Sequence, residues 1–208
     1  MTVPKITNLI PLWVSSQYNR YVSKPPESST RSRTRRAILD AAVKLLSKDI
    51  TASLSDIATE AGVGRTTVHR YFPERADLVK AIGDDTLEQI AALTVRANLD
   101  EGTATEALSR LCQEYFELAE VLTLLFNEPN LMSSAEWTDP TDTDQDIDAL
   151  FKRGVADGEF GDHITPEWGV HLLWSLLHAG WSHIEQNGAS KHDALTRTIA
   201  TLTRAVRP

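Results

Sequence analysis

Polar side chains that can bind bases and phosphates crowd one short segment of the chain, RTTVHRYF. They are Arg65, Thr66, Thr67, His69 and Arg70. No Asp or Glu occurs between Gly62 and Pro73, although a solvent-facing helix usually mixes acids and lysines at i,i+4 spacing. Arginine and threonine on a helix can reach base edges and phosphates when that helix lies in the major groove of DNA. The segment therefore indicates a DNA-reading helix, with an ordinary surface helix as the plainer alternative.

The neighbouring residues predict how such a helix would be positioned. Ser53 can cap a first helix, because its hydroxyl can satisfy a free N–H of the first turn, and the apolar residues that follow share one face. Gly62 begins a three-residue turn, where a helix commonly ends in a left-handed residue. Pro73 then ends a second helix that begins at Arg65. A helix, a glycine turn and a second helix form the helix-turn-helix pattern.

Two longer helices are expected on either side of this motif. Residues 34–47 carry apolar side chains at i, i+3, i+4, i+7 and i+8, which predicts an amphipathic third helix for the head. Residues 74–99 predict a helix that begins beside the motif and continues into the rest of the chain. A stiff helix shared in this way can convert a change in one region into a tilt of the other.

The stretch Ser53–Leu78 resembles the DNA-binding segment of TetR-type (tetracycline repressor-like) transcriptional regulators. The pattern is carried by Asp56-Ile57-Ala58, Ala61-Gly62-Val63, Val68-His69-Arg70-Tyr71-Phe72-Pro73 and Asp77-Leu78. The resemblance covers about residues 34–82. The chain departs from it at His69, Gly64 and Arg75, where the family usually has Tyr, Ser or Thr, and Lys.

The resemblance implies an all-α regulator that binds double-stranded DNA as a homodimer, at a palindromic operator, and responds to a small-molecule effector. We expect three side chains to contact base edges, namely Arg65, Thr66 and Arg70. Five others are expected to contact phosphates, namely Ser53, Thr67, His69, Tyr71 and Arg75. A repressor is the expected type of regulator.

The charge distribution agrees with a DNA-binding head on a separate body. The 208-residue chain has a formal net charge of −8, which by itself argues against a general nucleic-acid binder. Residues 1–80, however, carry 13 Lys and Arg against 7 Asp and Glu, whereas residues 81–208 carry 8 against 22. A basic N-terminal part on an acidic body is expected of such an arrangement.

We expect three regions along the chain. Residues 1–33, with four prolines and a basic end, predict an arm that is flexible or docked and that can approach a minor groove. Residues 34–82 form the helix-turn-helix domain. Residues 83–208 form a larger helical bundle for effector binding and dimerisation.

The bundle is expected to contain helices at residues 103–126, 144–156, 166–186 and 193–206, with a short helix at 130–134. The segment 166–186 is apolar in every direction along a helical projection, which predicts burial on all sides. A small monomer could hardly cover it, so the last two helices are expected to pair with those of a second subunit. TetR-like proteins associate in that way.

Aromatic residues of the bundle are the candidates for an effector pocket, which the resemblance implies and which helical bundles can build. Plain core packing is the alternative for each. The candidates are Tyr115, Phe116, Trp137, Trp174 and His178.

Other chemistry finds little support in the sequence. His171, His178 and His183 are too widely spaced for one metal ion, and no nucleophile or phosphate-binding motif is present, so neither a metal, a cofactor nor a catalytic residue is expected. The acidic stretch 139–148 lacks the glycine and glutamate of a calcium loop. With a single Cys, no apolar run of membrane-spanning length and no secretory signal, a cytoplasmic location fits.

Two alternatives to a DNA-binding regulator remain open at this point. One is an all-α small-molecule or protein interaction module that keeps the head only as structure. The other is an all-α enzyme whose turnover of a small hydrophobic substrate depends on His171 or His178.

Overall fold

Every regular element in the part of the chain that the structure describes is helical, which confirms the predicted all-α class. The structure is a computed structural model, and it describes residues 29–127 and 142–208. The helices are α1 (Ser29–Leu46), α2 (Leu54–Glu60), α3 (Arg65–Tyr71), α4 (Arg75–Arg96), α5 (Ala104–Tyr115), α6 (Ala119–Asn127), α7 (Asp142–Ala156), α8 (Pro166–Asn187) and α9 (Lys191–Ala205), with a 3₁₀ turn at Phe116–Leu118. None of these helices is both long and apolar enough to cross a membrane.

The described residues divide into two compact units. The head unit comprises residues 29–89 and 118–127, and the body unit comprises residues 90–117 and 142–208. Helix α4 contributes its first four turns to the head unit and its last turns to the body unit.

The helix-turn-helix in the head unit is confirmed at its predicted position. Ser53 caps α2 in a capping box: its hydroxyl accepts from the backbone N–H of Asp56, whose carboxylate accepts from the backbone N–H of Ser53. Gly62 has φ +65, a left-handed conformation that glycine adopts at little cost, so the chain can turn sharply into α3.

Helix α1 begins at Ser29, five residues before the predicted start at Thr34. Residues 29–33, which were expected in the arm, are therefore helical. The last helix breakers before this point are Pro25 and Pro26, and nothing after them opposes a helix. The remainder of the predicted arm, residues 1–28, lies outside the described residues.

The single helix predicted over residues 103–126 is wrong, because a 3₁₀ turn at Phe116–Leu118 divides it into α5 and α6. No glycine or proline marks this break in the sequence. Phe116 is fully buried, and its ring lies against Gly180 of α8, where an added Cβ would come within 3.0 Å of it. Tertiary packing of this ring therefore accompanies the tighter turn, which regular helical periodicity cannot indicate.

The remaining helices agree with prediction to within a few residues, and Thr165 caps α8 with Pro166 in the first turn, as expected. The predicted helix at residues 130–134 lies outside the described residues. In the single chain α8 is only partly covered, and its predicted burial by a second subunit stays a prediction. Leu173 and Leu177 are fully buried, but Trp168 is 52% exposed and His171 and Ser175 are exposed.

Two glycines allow α8 to pack closely inside the body unit. A Cβ on Gly169 would lie 2.4 Å from the ring of Phe151 in α7, and a Cβ on Gly180 would lie 2.4 Å from Thr198 Oγ1 in α9. Real Cβ atoms do not approach other atoms so closely, so these helix contacts require glycine.

We expect Gly169→Ala to lower the free energy of unfolding by about 1–3 kcal/mol, because the added methyl overpacks against the buried ring of Phe151. Alanine on its own should favour the helix by about 1 kcal/mol, so a net loss would show that the clash is the larger effect. Urea unfolding followed by circular dichroism measures the change. Ser175→Ala, at an exposed position of the same helix, is the control and should cost little. Equal or higher stability for Gly169→Ala would contradict the close packing.

Candidate DNA interface and ligand site

The polar side chains predicted to read DNA lie on the outer side of α3. Val68 is fully buried and Phe72, just beyond the helix, is 4% exposed. This pair, four residues apart, fixes which side of α3 faces the core. The outer side carries Arg65, Thr66, His69 and Arg70, all exposed, with Thr67 and Tyr71 half-buried. The short helix thus brings together six of the eight predicted DNA-binding residues.

Arginines of α1 surround the C-terminal end of α3. The guanidinium carbon of Arg31 lies 6.0 Å from the centre of the Tyr71 ring, and that of Arg70 lies 5.7 Å from the same ring. The Tyr71 hydroxyl donates to the backbone carbonyl of Arg31 at 3.3 Å. A third guanidinium, from Arg35, lies 5.9 Å from the ring of Phe72. These distances are those of cation–π contacts, so α1 adds positive charge beside α3.

This contribution of α1 was missed by the sequence analysis, which assigned Arg31 to the arm. The spacing of two arginines in the sequence could have indicated this contribution. Arg31 and Arg35 are four residues apart and share one helical face, but only if the helix begins before Thr34.

Ser53 and Arg75, the two predicted phosphate contacts outside α3, already have partners in the head. The Ser53 hydroxyl donates to Asp56 Oδ2 at 2.6 Å, and the backbone N–H of Ser53 donates to the same carboxylate. These two hydrogen bonds hold the pKa of the Asp56 carboxyl below its usual value. Arg75 donates to the backbone carbonyl of Ala52 at 2.6 Å and also to that of Ile50. Its guanidinium therefore fixes the loop that leads into α2.

Ion pairs join the helices of the head unit to one another. Arg36 of α1 donates twice to Asp85 of α4, at 2.9 and 2.7 Å, and also to Asp40 of α1. Gln89 Nε2 donates to the same Asp85 carboxylate at 2.7 Å. Both contacts to Asp85 are made by one nitrogen, Arg36 Nη1, so this ion pair ties α1 to α4 at a single point of the guanidinium group.

In the body unit, two of the predicted effector residues form one cluster. The rings of Tyr115 in α5 and Trp174 in α8 stack at 5.1 Å between centres, with 17° between their planes. The Tyr115 hydroxyl lies 2.5 Å from Thr94 Oγ1 in α4, and burial raises the pKa of Tyr115 well above its usual value. Trp174 is buried, and its Nε1–H meets no hydrogen-bond acceptor among the described residues.

The other effector candidates lie apart from this pair. Phe116 packs against Trp181, with ring centres 6.1 Å apart. His178 is half-buried on α8, one turn beyond Trp174, and its Nε2 lies 3.5 Å from Ser182 Oγ. Trp137 lies outside the described residues.

Among residues 29–127 and 142–208, no three His, Cys, Asp or Glu side chains are grouped closely enough to hold a metal ion. His171 is exposed, and His183 pairs with Asn187 at 3.0 Å. Cys112 is fully buried, and burial raises the pKa of its thiol to about 12. A thiol with so high a pKa is a poor nucleophile at neutral pH.

Comparison with known proteins agrees with this geometry. The profile described as "Bacterial regulatory proteins, tetR family" matches residues 38–82. The HTH-type transcriptional repressor LfrR of Mycolicibacterium smegmatis is 33% identical over 182 residues, which is 86% of this chain and 94% of that protein. The HTH-type transcriptional regulator NfxB of Pseudomonas aeruginosa is 29% identical over 153 residues, covering 70% of this chain and 80% of NfxB.

Solved structures show the same relationship. The crystal structure of LfrR from Mycobacterium smegmatis in complex with proflavine aligns with a TM-score of 0.66 and 32% identity, over 86% of this chain and 99% of that one. The similarity to LfrR extends along nearly the whole length of that protein, and it accompanies the helix-turn-helix and the all-α architecture. The chain therefore belongs to the TetR family of bacterial regulatory proteins and is a DNA-binding transcriptional regulator.

Proposed function

We propose that this regulator is a ligand-responsive repressor that binds a palindromic operator as a dimer, with α3 of each subunit in a major groove. The observation that supports this most directly is the exposed basic side of α3, which is held outward by the burial of Val68 and Phe72. A two-fold dimer places two such helices about one helical turn of DNA apart, or a multiple of it.

Within the head we assign base contacts to Arg65, Thr66 and Arg70, because these exposed side chains can project into the groove. Phosphate contacts are assigned to Ser53, Thr67, His69 and Tyr71. Each phosphate that a cation neutralises would steepen the salt dependence of binding.

For Arg75 we propose a positioning role in place of the phosphate contact expected from sequence. Its guanidinium donates to the carbonyls of Ala52 and Ile50, so it holds Ser53 and the start of α2 in place. A positive charge at this position still favours nearby DNA through its field.

For assembly we propose that α8 and α9 form the dimer interface. A groove of about 460 Å³ runs between these helices and is lined by small and polar residues, among them Ala179, Gly180 and Thr198. Ala179 and the bulky Trp168 lie on the exposed side of α8. A second copy that covers this side would account for the apolar character of α8, which the single chain leaves partly exposed.

For the effector we propose a planar aromatic cation that binds at the pair of Tyr115 and Trp174. Stacked rings suit a flat ligand. The carboxylates of Asp144 and Asp146 are close enough to raise the pKa of Tyr115 further, so negative charge lies within electrostatic range. Proflavine, the ligand in the LfrR complex, has this chemistry and is the probe of choice.

We expect Arg65→Ala to weaken binding to DNA from the region flanking the protein's own gene by about 1–3 kcal/mol and to relax sequence preference, because a base contact is lost. Mobility-shift titrations on specific and random duplexes measure both. Lys152→Ala, an exposed lysine of α7, is the control and should bind as the unaltered protein does. An equal loss on both duplexes would reassign Arg65 to a phosphate, and no binding by the unaltered protein to any flanking duplex would reject the proposed function.

We expect Ala179→Arg to give a monomer in sedimentation at micromolar concentration, because it places a charge in the middle of the proposed interface. Ala92→Arg, at an exposed position of α4, should leave the dimer intact. A dimer that survives Ala179→Arg, or an unaltered protein that is itself monomeric, would argue against α8 and α9 as the interface.

We expect Trp174→Phe to weaken proflavine binding by about three- to tenfold, since phenylalanine gives the ligand less aromatic surface to stack on than the indole does. Fluorescence titration gives the affinity. Trp168→Phe, which alters an exposed indole on the same helix, serves as the matched control. If both variants bind proflavine as the unaltered protein does, Trp174 does not contact the ligand.

A further inference from the structure

A cleft of about 370 Å³ lies inside the head unit, between the first turns of α1 and the end of α3. It is lined by Thr30, Arg31, Thr34, Arg70 and Tyr71. Thr30 and the two arginines are exposed, whereas Thr34 and Tyr71 are half-buried. Two guanidinium groups and three hydroxyl groups therefore border one opening on the surface, and none of the five residues is acidic.

Contacts between its own walls give the cleft a defined shape. The Tyr71 hydroxyl donates to the backbone carbonyl of Arg31 at 3.3 Å. The Thr34 hydroxyl donates to the backbone carbonyl of Thr30 at 3.0 Å. The guanidinium carbons of Arg31 and Arg70 lie 6.0 and 5.7 Å from the centre of the Tyr71 ring. The ring thus brings together two positive charges, one from each helix, beside the same opening.

The surroundings of the cleft favour an anion. The first acidic residue of α1 is Asp40, in the second half of that helix, and α3 contains none. Two positive charges beside one ring repel each other, and an anion that contacts both removes this repulsion. The planar donors of arginine match the geometry of phosphate oxygens. The chemistry of the cleft is therefore that of a site for a phosphate group.

The position of the cleft beside α3 indicates where such a phosphate comes from. A helix with its side chains is about 10–12 Å across, and the major groove of DNA is about 12 Å wide. A helix that lies in this groove has sugar-phosphate backbone along its flanks, and the cleft opens on the flank of α3 that faces α1. Arg70, which we assign to a base edge, adds its positive field at the border of the cleft.

We propose that this cleft binds one phosphate of the operator backbone, with the Arg31 guanidinium as the main donor and the Thr30 hydroxyl as a second donor. Arg31 is then a further DNA-contacting residue, on α1 instead of α3. Contacts to phosphates fix the register and orientation of a protein on the duplex without reading sequence, so α1 positions α3 in the groove. The inference rests on the proposed function, because it requires α3 to lie in a major groove.

The test begins with Arg31→Met, which removes the charge but keeps a long side chain beside Tyr71. We expect this variant to weaken binding to operator and random duplexes by the same factor, about tenfold or more, because a charge-assisted contact to phosphate is lost. A dimer contains the cleft twice, so the slope of log binding constant against log salt concentration should fall by about 1.8, at about 0.9 per phosphate. Mobility-shift titrations over a range of salt concentrations measure both. Arg31→Lys keeps the charge and should keep the slope.

Two neighbouring arginines of α1 provide matched controls. Arg33→Met removes the same charge two residues further on, about 200° around the helix at 3.6 residues per turn. Arg35→Met removes a guanidinium whose carbon lies 5.9 Å from the ring of Phe72, a contact like that of Arg31 with Tyr71. Neither Arg33 nor Arg35 lines the cleft. Each control should lower the salt slope by less than about half as much as Arg31→Met does, and circular dichroism should show all variants folded.

The outcomes separate this site from simpler explanations. An unchanged salt slope for Arg31→Met would reject the phosphate site and leave the proposed function standing. An equal fall for Arg33→Met would show that only the general positive field acts, and an equal fall for Arg35→Met would show that weaker packing of α3 against α1 is the cause. Either result rejects the site, and a loss confined to the operator duplex would reassign Arg31 to a base. If the unaltered protein binds no duplex, the proposed function fails and this inference fails with it.

Discussion

The exposed basic surface of α3, which we propose faces DNA, depends on the burial of the opposite side of that helix. A seven-residue helix has little stability of its own, since isolated helices of this length do not persist in water. Val68 and Phe72 supply the apolar contacts that hold it in the head, together with Ile57 and Ala58 of α2. Loss of that packing would leave the basic side chains present but without a fixed orientation, and base readout requires one.

Several arginines stabilise the structure by donating hydrogen bonds to backbone carbonyls and to carboxylates. Arg75 holds the loop before α2, and Arg36 holds α4 against α1. The same device recurs in the body unit, where Arg110 donates to the carbonyl of Ala97 at 2.8 Å and Arg153 to that of Gly102 at 2.9 Å. In both units, then, the loops that flank α2 and α4 are fixed by guanidinium groups, whose several donors can satisfy more than one acceptor.

Features determined by neighbouring residues could be predicted from sequence. The capping serine at Ser53, the left-handed Gly62 and the Pro166 start of α8 each act within a few residues, and the helix periodicity is equally local. The start of α1 was misplaced because prolines mark only where a helix cannot be, and several residues between Pro26 and Thr34, namely Ser28, Ser29, Thr30 and Ser32, could each cap a helix.

The break at Phe116 and the partners of Arg75 could not be predicted, because both depend on distant contacts. Phe116 meets Gly180, and Arg75 meets carbonyls more than twenty residues earlier in the chain. For the proposed ligand site, the sequence indicated which aromatic residues were available but not which of them would contact one another. The stack of Tyr115 on Trp174, and the separation of Phe116 into a cluster with Trp181, result from tertiary packing alone.

The hydroxyls of Tyr115 and Thr94 are difficult to explain as stabilising features. A buried hydrogen bond contributes about 0.5–1.5 kcal/mol net, and replacing both partners by apolar groups of similar shape can be nearly neutral. Phenylalanine and valine would fill the same space without burying any polar atom. A polar pair in such a position does, however, specify one arrangement of the two helices, since any other arrangement leaves a buried hydroxyl unsatisfied. That dependence on a single geometry contributes little to stability, but it fixes how the end of α4 packs against α5 inside the body unit.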